Sequence, residues 1–213
     1  DFLQALHAVL PARGISASLA SVASLALTLR VVEALSACFQ RLLLARSVSR
    51  LSGVCIANAE PARLGVDRFL ALLAAHARAP QAWLVVGVGT ALTVDLIGAD
   101  GRHQGGRIGP SPSLMRRALH AAAAHLPEHG GAYREFATDT TDALASGCEG
   151  AALGLVERSL RQGAHVLGQA PGLLLHGGGA DTLQPYFPGA IHAPSLVLEG
   201  LALWSRAGTA PNL

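Results

Sequence analysis

Trp83 to Val88 reads Trp-Leu-Val-Val-Gly-Val, an uncharged run that stops at Gly89-Thr90 and resumes as Ala91 to Ile97. A run of this length suits a strand and is short for a helix, and being apolar at consecutive positions it predicts burial on both faces. Such a strand needs a covering layer on each side of its sheet. Ala99-Asp100-Gly101 is a turn signal, and His103 to Ile108 reads as a third strand, so three antiparallel strands in succession predict a meander.

Helical text surrounds this core. Asp1 to Leu10 has Phe2, Leu3, Leu6 and Leu10 near one helical face, and Pro11 and Gly14 break it. Ile15 to Val22 reads as a small-residue strand, Leu25 to Phe39 as a helix, and Arg41 to Val48 as a strand. Ser52 to Glu60 reads as a loop, and Pro61 precedes a strong helix over Leu64 to Ala77. Beyond the meander come helices over Leu114 to His125 and about Thr141 to Leu167. A short strand at Leu173 to Leu175 runs into Gly177-Gly178-Gly179, Ile191-His192 forms one more, and Val197 to Ser205 is a closing helix. The class is α/β. Pro80 marks the boundary between a first part, 1–80, and a second, 81–213.

Composition removes several functions. Hydrophobic residues make up 51% and charged residues 14%, the balance of a packed domain and not of a disordered chain. The 16 basic residues are all arginine, scattered against 14 acids, so no basic face is set out for nucleic acid. Gly14 to Leu29 lacks charge, yet Ser16, Ser18, Ser21, Ser24 and Thr28 make it too polar and too short to span a membrane. No leader of the basic, apolar, small-residue type opens the chain, which begins at Asp1. Cys38, Cys55 and Cys148 have no metal-like spacing, and an odd count suits a reduced, cytoplasmic protein.

Three segments can carry chemistry. In Val86-Gly87-Val88-Gly89-Thr90-Ala91-Leu92-Thr93-Val94-Asp95, a Gly-Thr turn between buried strands exposes backbone N–H groups and a hydroxyl. That arrangement can cradle phosphate, or it can be a hairpin that needs glycine for its geometry. In Leu64-Gly65-Val66-Asp67-Arg68-Phe69, Asp67 falls at a helix start, where the macrodipole favours a carboxylate. It is either a helix-start acid or a base for a hydroxyl attacking phosphorus, and Arg68 beside it is either a carboxylate clamp or a solvated charge. Gly177-Gly178-Gly179 lets a nucleotide approach backbone, or simply relieves crowding between strand and helix. His120, His125 and His129 do not share a helical face, with Pro127 between the last two, so no metal is read there. There is no Walker-type phosphate loop, and Ser146-Gly147-Cys148 lacks the glycine before serine that a nucleophile elbow needs.

In this order the segments resemble the type III pantothenate kinases of the actin-like, sugar-kinase-like ATPase superfamily. Leu64-Gly65-Val66-Asp67-Arg68 is similar to that family's G-x-D-R, and Gly89-Thr90-Ala91-Leu92-Thr93-Val94-Asp95 to its G-T-A-x-T-x-D hairpin. Gly105-Gly106-Arg107-Ile108 resembles its G-G-x-I strand, and Asp139-Thr140-Thr141-Asp142-Ala143-Leu144-Ala145-Ser146-Gly147 its N-T-x-x-A-I-x-S-G. The glycine run from Gly177 and Leu198-Glu199-Gly200-Leu201 also fall where the family has similar text. The resemblance implies an actin-like (ribonuclease H-like) fold of two related domains, with mixed sheets flanked by helices and the first domain incomplete. It implies ATP-dependent phosphorylation of pantothenate to 4'-phosphopantothenate, which opens coenzyme A synthesis. Asp67 would receive the proton of pantothenate's hydroxyl. Gly65, Val66, Arg68, Thr140 and Asn58 would bind pantothenate, and Gly89, Thr90, Gly177, Gly178 and Gly179 would bind ATP. Mg²⁺ would arrive with ATP, and the family works as a homodimer.

The chain departs from that pattern in places. Gly87 stands where the family has an Asp that binds an activating monovalent cation, K⁺ or NH₄⁺, and glycine offers no ligand atom from a side chain. Asn58 stands where many members have a substrate-contacting Tyr, and Asp139 replaces the usual Asn. Nothing matches the family's leading D-x-G-N-[ST] hairpin, so half of the phosphate cradle is expected to be missing from these residues. The other readings are a catalytically inactive relative serving as a regulatory or dimerising subunit, and a kinase of the same superfamily with a different acceptor.

Overall fold

The computed structural model describes residues 2–10 and 13–209. The chain opens with α1 (Phe2–Val9), β1 (Gly14–Leu19), α2 (Leu25–Cys38) and β2 (Phe39–Leu44). Asp1, the start read for the first helix, and Pro11, the residue read as breaking it, lie outside the described residues, as do the side chains of Phe2 and Leu3. Ser24 caps α2 by accepting from the Leu27 N–H. The helix ends at Cys38, and Phe39 turns directly into extended backbone, so β2 begins two residues before the sequence expectation. β1 and β2 pair in parallel, as a strand–helix–strand unit must.

Next come β3 (Arg50–Leu51) and β4 (Val54–Cys55), a two-residue-per-strand hairpin whose second strand lies inside the Ser52–Glu60 stretch read as loop. A 3₁₀ turn over Pro61–Arg63 precedes α3 (Val66–Arg78). Leu64 is extended, with its carbonyl accepting from Ser47 Oγ, and this delays the helix to Val66.

The main sheet has β5 (Trp83–Val88), β6 (Ala91–Ile97), β7 (His103–Pro110), β8 (Gly172–His176) and β9 (Ile191–His192), in the order β7-β6-β5-β8-β9. The meander is as expected, with β7 extended to Pro110 because its ladder runs the whole length of β6 to Ala91. β8 joins β5 in parallel after a long crossover through α4 (Pro112–Ala122) and α5 (Thr140–Leu167). A short helix, α6 (Ala180–Leu183), follows β8, and α7 (Leu196–Thr209) closes the chain.

Strand alternation divides the core in two. Trp83, Val85, Ile97 and Leu174 face α3 and α7, packing with Phe69, Leu70, Leu73 and Leu196. Leu84, Val86, Val88, Leu92, Val94 and Leu175 face α5 and α6, packing with Ala152, Leu153, Val156 and Leu183. The core therefore runs continuously across Pro80. At the crossing of α3 and α7, Gly200 lies on the backbone of Leu70, so that a Cβ there would run into the Leu70 carbonyl. Arg78 and Glu199 join the same helices at the surface, 2.7 Å apart. Gly200→Ala should destabilise the chain by about 1–3 kcal/mol despite alanine's better helix propensity, because backbone cannot give way as a side chain can. The urea midpoint measures it, and an unchanged midpoint would show that the helices can part without loss. Among the described residues no helix is long and apolar enough to cross a membrane.

Candidate active site

The β5–β6 hairpin closes at the Val88–Leu92 pair and leaves Gly89 and Thr90 exposed at its tip. Ser111, the N-cap of α4, donates its hydroxyl to the Thr90 carbonyl at 2.9 Å and so fixes the turn to the next helix. Alongside, the chain leaves β8 through Gly177, whose φ of +91° suits glycine and whose missing Cβ leaves room for the Val88 backbone. Gly179 donates its N–H to the Val88 carbonyl at 2.9 Å. Gly177 and Gly179 thus bring two strand ends together, while Gly178 faces open space. An open cleft of about 520 Å³ lies here, bordered by Gly89, Gly178, Gly179, Arg116 and Arg117. The arginines, read at first only as helix residues, share the lining with Glu128 and Glu149, so the cleft carries charge of both signs. Arg116 donates to the Gly130 carbonyl at 2.6 Å, and its Nε has no partner. Burial pushes the Glu149 carboxyl above its ordinary value, against the pull of Arg116.

On the other face of the strand ends sits α3. Asp67 is its second residue, half-buried, with Gly65 as N-cap. Arg68 points its Nε and Nη2 at Asp95 of β6, with distances of 2.8 and 2.6 Å. One edge of the guanidinium is thus engaged by Asp95, so Arg68 is neither the solvated charge nor the wholly free carboxylate clamp read from its sequence. Asp95 also accepts from His103 Nε2 at 2.9 Å. The Ala57 N–H donates to His103 Nδ1 at 3.4 Å, which assigns the ring proton to Nε2. One network therefore ties the start of α3, two strands and the loop carrying the half-buried Asn58. Burial alone would raise the Asp95 pKa, but the hydrogen bonds from His103 and Arg68 and their charges hold it below the ordinary carboxylate value. Gly106 is required beside this pair, since a Cβ there would overlap Asp95 Oδ1 and Arg68 Nη2.

The sequence-derived residues thus fall into three places. Gly89, Thr90 and Gly177 to Gly179 gather at the strand ends and the cleft. Gly65, Val66, Asp67, Arg68 and Asn58 gather around α3 and the Asp95 network. Thr140 stands apart and exposed, as the first residue of α5, whose N-cap Asp139 accepts from the Thr141 and Asp142 N–H groups at 2.9 and 3.0 Å. Asp95, His103 and the cleft arginines were not singled out from sequence. Among the described residues no three His, Cys, Asp or Glu side chains gather as a metal site.

A glycine turn open to a charged cleft, with a helix-borne carboxylate across the strand ends, suits an ATP-dependent kinase on an α/β scaffold. The sequence model of the type III pantothenate kinase family matches residues 1–162. The type III pantothenate kinase of Stenotrophomonas maltophilia (strain K279a) is 57% identical over 192 residues, 90% of this chain and 79% of that protein. That of Xanthomonas campestris pv. campestris (strain 8004) is 54% identical over 195 residues, 92% of this chain and 80% of that protein. The chain belongs to the type III pantothenate kinase family. A crystal structure from Campylobacter jejuni, described as a conserved Baf family transcriptional activator, shares the fold at a TM-score of 0.66. The two are 20% identical, and the match covers 99% of this chain and 89% of that one.

Proposed function

We propose that this chain transfers the γ-phosphoryl group of ATP to the primary hydroxyl of pantothenate, giving 4'-phosphopantothenate and ADP in the cytoplasm. The observation that carries this reading is the placement of Asp67 beside the strand ends, on the opposite face from the nucleotide-sized cleft. Phosphoryl transfer asks a protein mainly for alignment and charge, and one group to take the acceptor's proton. In this mechanism ATP lies in the cleft against Gly178 and Gly179, with its phosphates over Gly89 and Thr90. Pantothenate lies beside α3, bounded by Gly65, Val66 and Asn58. Asp67 takes the hydroxyl proton as the oxygen attacks phosphorus. Arg68 keeps its Nη1 for the substrate while Asp95 holds the rest of the guanidinium still.

Mg²⁺ fits as a partner of ATP, held by phosphate oxygens and water, where it would neutralise charge on the transferring group. A monovalent cation does not fit at position 87. A Cβ on Gly87 would stand 2.7 Å from Thr93 Oγ1 and 2.9 Å from His176 Nε2, so side chains already fill that room. Turnover should therefore be alike in K⁺ and in K⁺-free buffer of equal ionic strength. Steep K⁺ activation would show that another ligand set holds the ion.

Thr140, at the exposed start of α5 and apart from this chain's own α3, hydrogen-bonds the pantothenate held beside α3 of a second copy in this proposal. The groove beside it, lined by Leu114, Met115, Leu119 and Leu144 between α4 and α5, is where two copies pair. The ancestral division at Pro80, 1–80 and 81–213, belongs to the same proposal, with one shared core bridging it. The deciding experiment is pantothenate-dependent ADP release by the purified chain with Mg²⁺ and ATP. Release that requires pantothenate supports the reading, and ATP binding without release overturns it in favour of an inactive subunit.

A further inference from the structure

His176 is the last residue of β8, and its register partner on β5 is Gly87. Alternation puts both on the α3 side, since Val85 and Leu174 two residues earlier pack there. The far end of the imidazole lies over Gly87, because a Cβ on that glycine would stand 2.9 Å from both Cε1 and Nε2. The ring thus sits between three groups already described: the Gly89–Thr90 turn that follows β5, the Gly177 bend that follows β8, and Asp67 on α3. Two carboxylates act on it, Asp67 from α3 and Asp95 from β6, and Asp95 is itself paired with Arg68 and His103. Gly87 and Thr93 add no charge.

No hydrogen bond or ion pair reaches the ring among the described residues. A half-buried imidazole with an unused donor and an unused acceptor is an expensive filler, as leucine would occupy the room without desolvating two nitrogens. The ring nitrogens are not enclosed as His76 Nδ1 is, so they remain open to a ligand arriving at the strand ends.

We infer that His176 is a further catalytic residue, presenting a ring N–H to the phosphoryl group as it passes from the Gly89–Thr90 turn towards Asp67. The inference rests on the kinase reading of the site. Burial holds the His176 pKa below its ordinary value, in spite of the charges of Asp67 and Asp95, so the resting ring is neutral near pH 7. An arriving phosphoryl group adds negative charge within hydrogen-bond reach and favours the protonated ring. The neutral ring donates one hydrogen bond and the protonated ring a charge-assisted one.

The test reads the imidazole directly. In ¹³C-histidine-labelled chain, the His176 signal, assigned by its loss in His176→Gln, is titrated with and without Mg²⁺, ADP and aluminium fluoride as a mimic of the transferring phosphoryl group. The expected result is a titration midpoint moved to higher pH by the mimic. An unmoved midpoint overturns the inference, whether other signals respond or not. Kinetics supply the second arm. His176→Leu should lower kcat by about 100-fold with KM for ATP held within about twofold, while His176→Gln, which keeps an N–H donor, should lose only about tenfold. Near-normal kcat in His176→Leu would assign the ring to packing alone. A moved midpoint in a chain that ignores pantothenate would leave His176 standing and remove the acceptor, whereas turnover with an unmoved midpoint would do the reverse.

Discussion

Asp67→Asn should reduce pantothenate-dependent turnover by about 10²–10⁴-fold, the range over which positioned general bases act. ATP affinity should stay within about twofold, so that the loss falls on kcat and not on nucleotide binding. The reasons lie in the layout. Asp67 is the second residue of α3, half-buried, with its charge reaching His176 at the end of β8. Asparagine has the same shape and occupies the same helix position, but cannot accept a proton from a hydroxyl. The cleft bordered by Gly89, Gly178 and Gly179 opens on the far face of the sheet, so the substitution leaves its walls untouched. Steady-state rates beside calorimetric ATP binding measure both quantities on one preparation. A variant with near-normal turnover would remove Asp67 from the chemistry, and a variant that loses ATP binding would make it a nucleotide ligand.

Much of this site was legible along the chain because its determinants are local. Trp83–Val88 and Ala91–Ile97 are read to the residue, since an apolar run bounded by Gly89-Thr90 fixes both strand ends. Asp67 at a helix start follows from Pro61 upstream of an amphipathic run, although the helix begins at Val66 and not at Leu64. The hairpin of Arg50–Leu51 and Val54–Cys55 was hidden, because two residues per strand carry no period, and Cys55 N–H bonds to Gly101, far along the chain. The partners of Asp95 were hidden for the same reason. Arg68 and His103 meet it only because α3 and β7 pack against β6, and no spacing in the sequence records that.

The glycines show most clearly what a sequence pattern does and does not carry. Gly106 looks like strand text, yet its work is to leave room for the Arg68–Asp95 pair. Leu198-Glu199-Gly200-Leu201 looks like helix text with a poor helix former in it. Its glycine seats α7 on Leu70, and its glutamate holds Arg78. Gly87 reads as a deletion of function until His176 is seen lying over it. In each case the missing side chain is defined by a neighbour that only the tertiary fold supplies.

Asp95→Asn should lower stability at pH 7 by about 3–5 kcal/mol, a large share of the margin of a domain this size. Three donors converge on its two oxygens: Arg68 Nε, Arg68 Nη2 and His103 Nε2. An asparagine has one oxygen to offer, and its amide would point a donor at a donor. His103 cannot relieve the conflict by moving its proton to Nδ1, because the Ala57 N–H already approaches that atom. The Arg68 guanidinium would also lose its counter-charge while only 14% exposed. The pH dependence follows from the lowered Asp95 pKa. A carboxyl depressed in the folded state contributes fully above its unfolded value, about 3.9, and loses that contribution as pH falls through the lower folded value. The gap in urea midpoint between wild type and Asp95→Asn should therefore be constant across neutral pH and narrow only below about pH 4. Equal midpoints at pH 7 would mean that the network's desolvation cancels its attraction. In that case its value lies in geometry alone, and Asp95→Asn should still slow turnover by releasing Arg68 and the Asn58 loop from the acceptor side of the site.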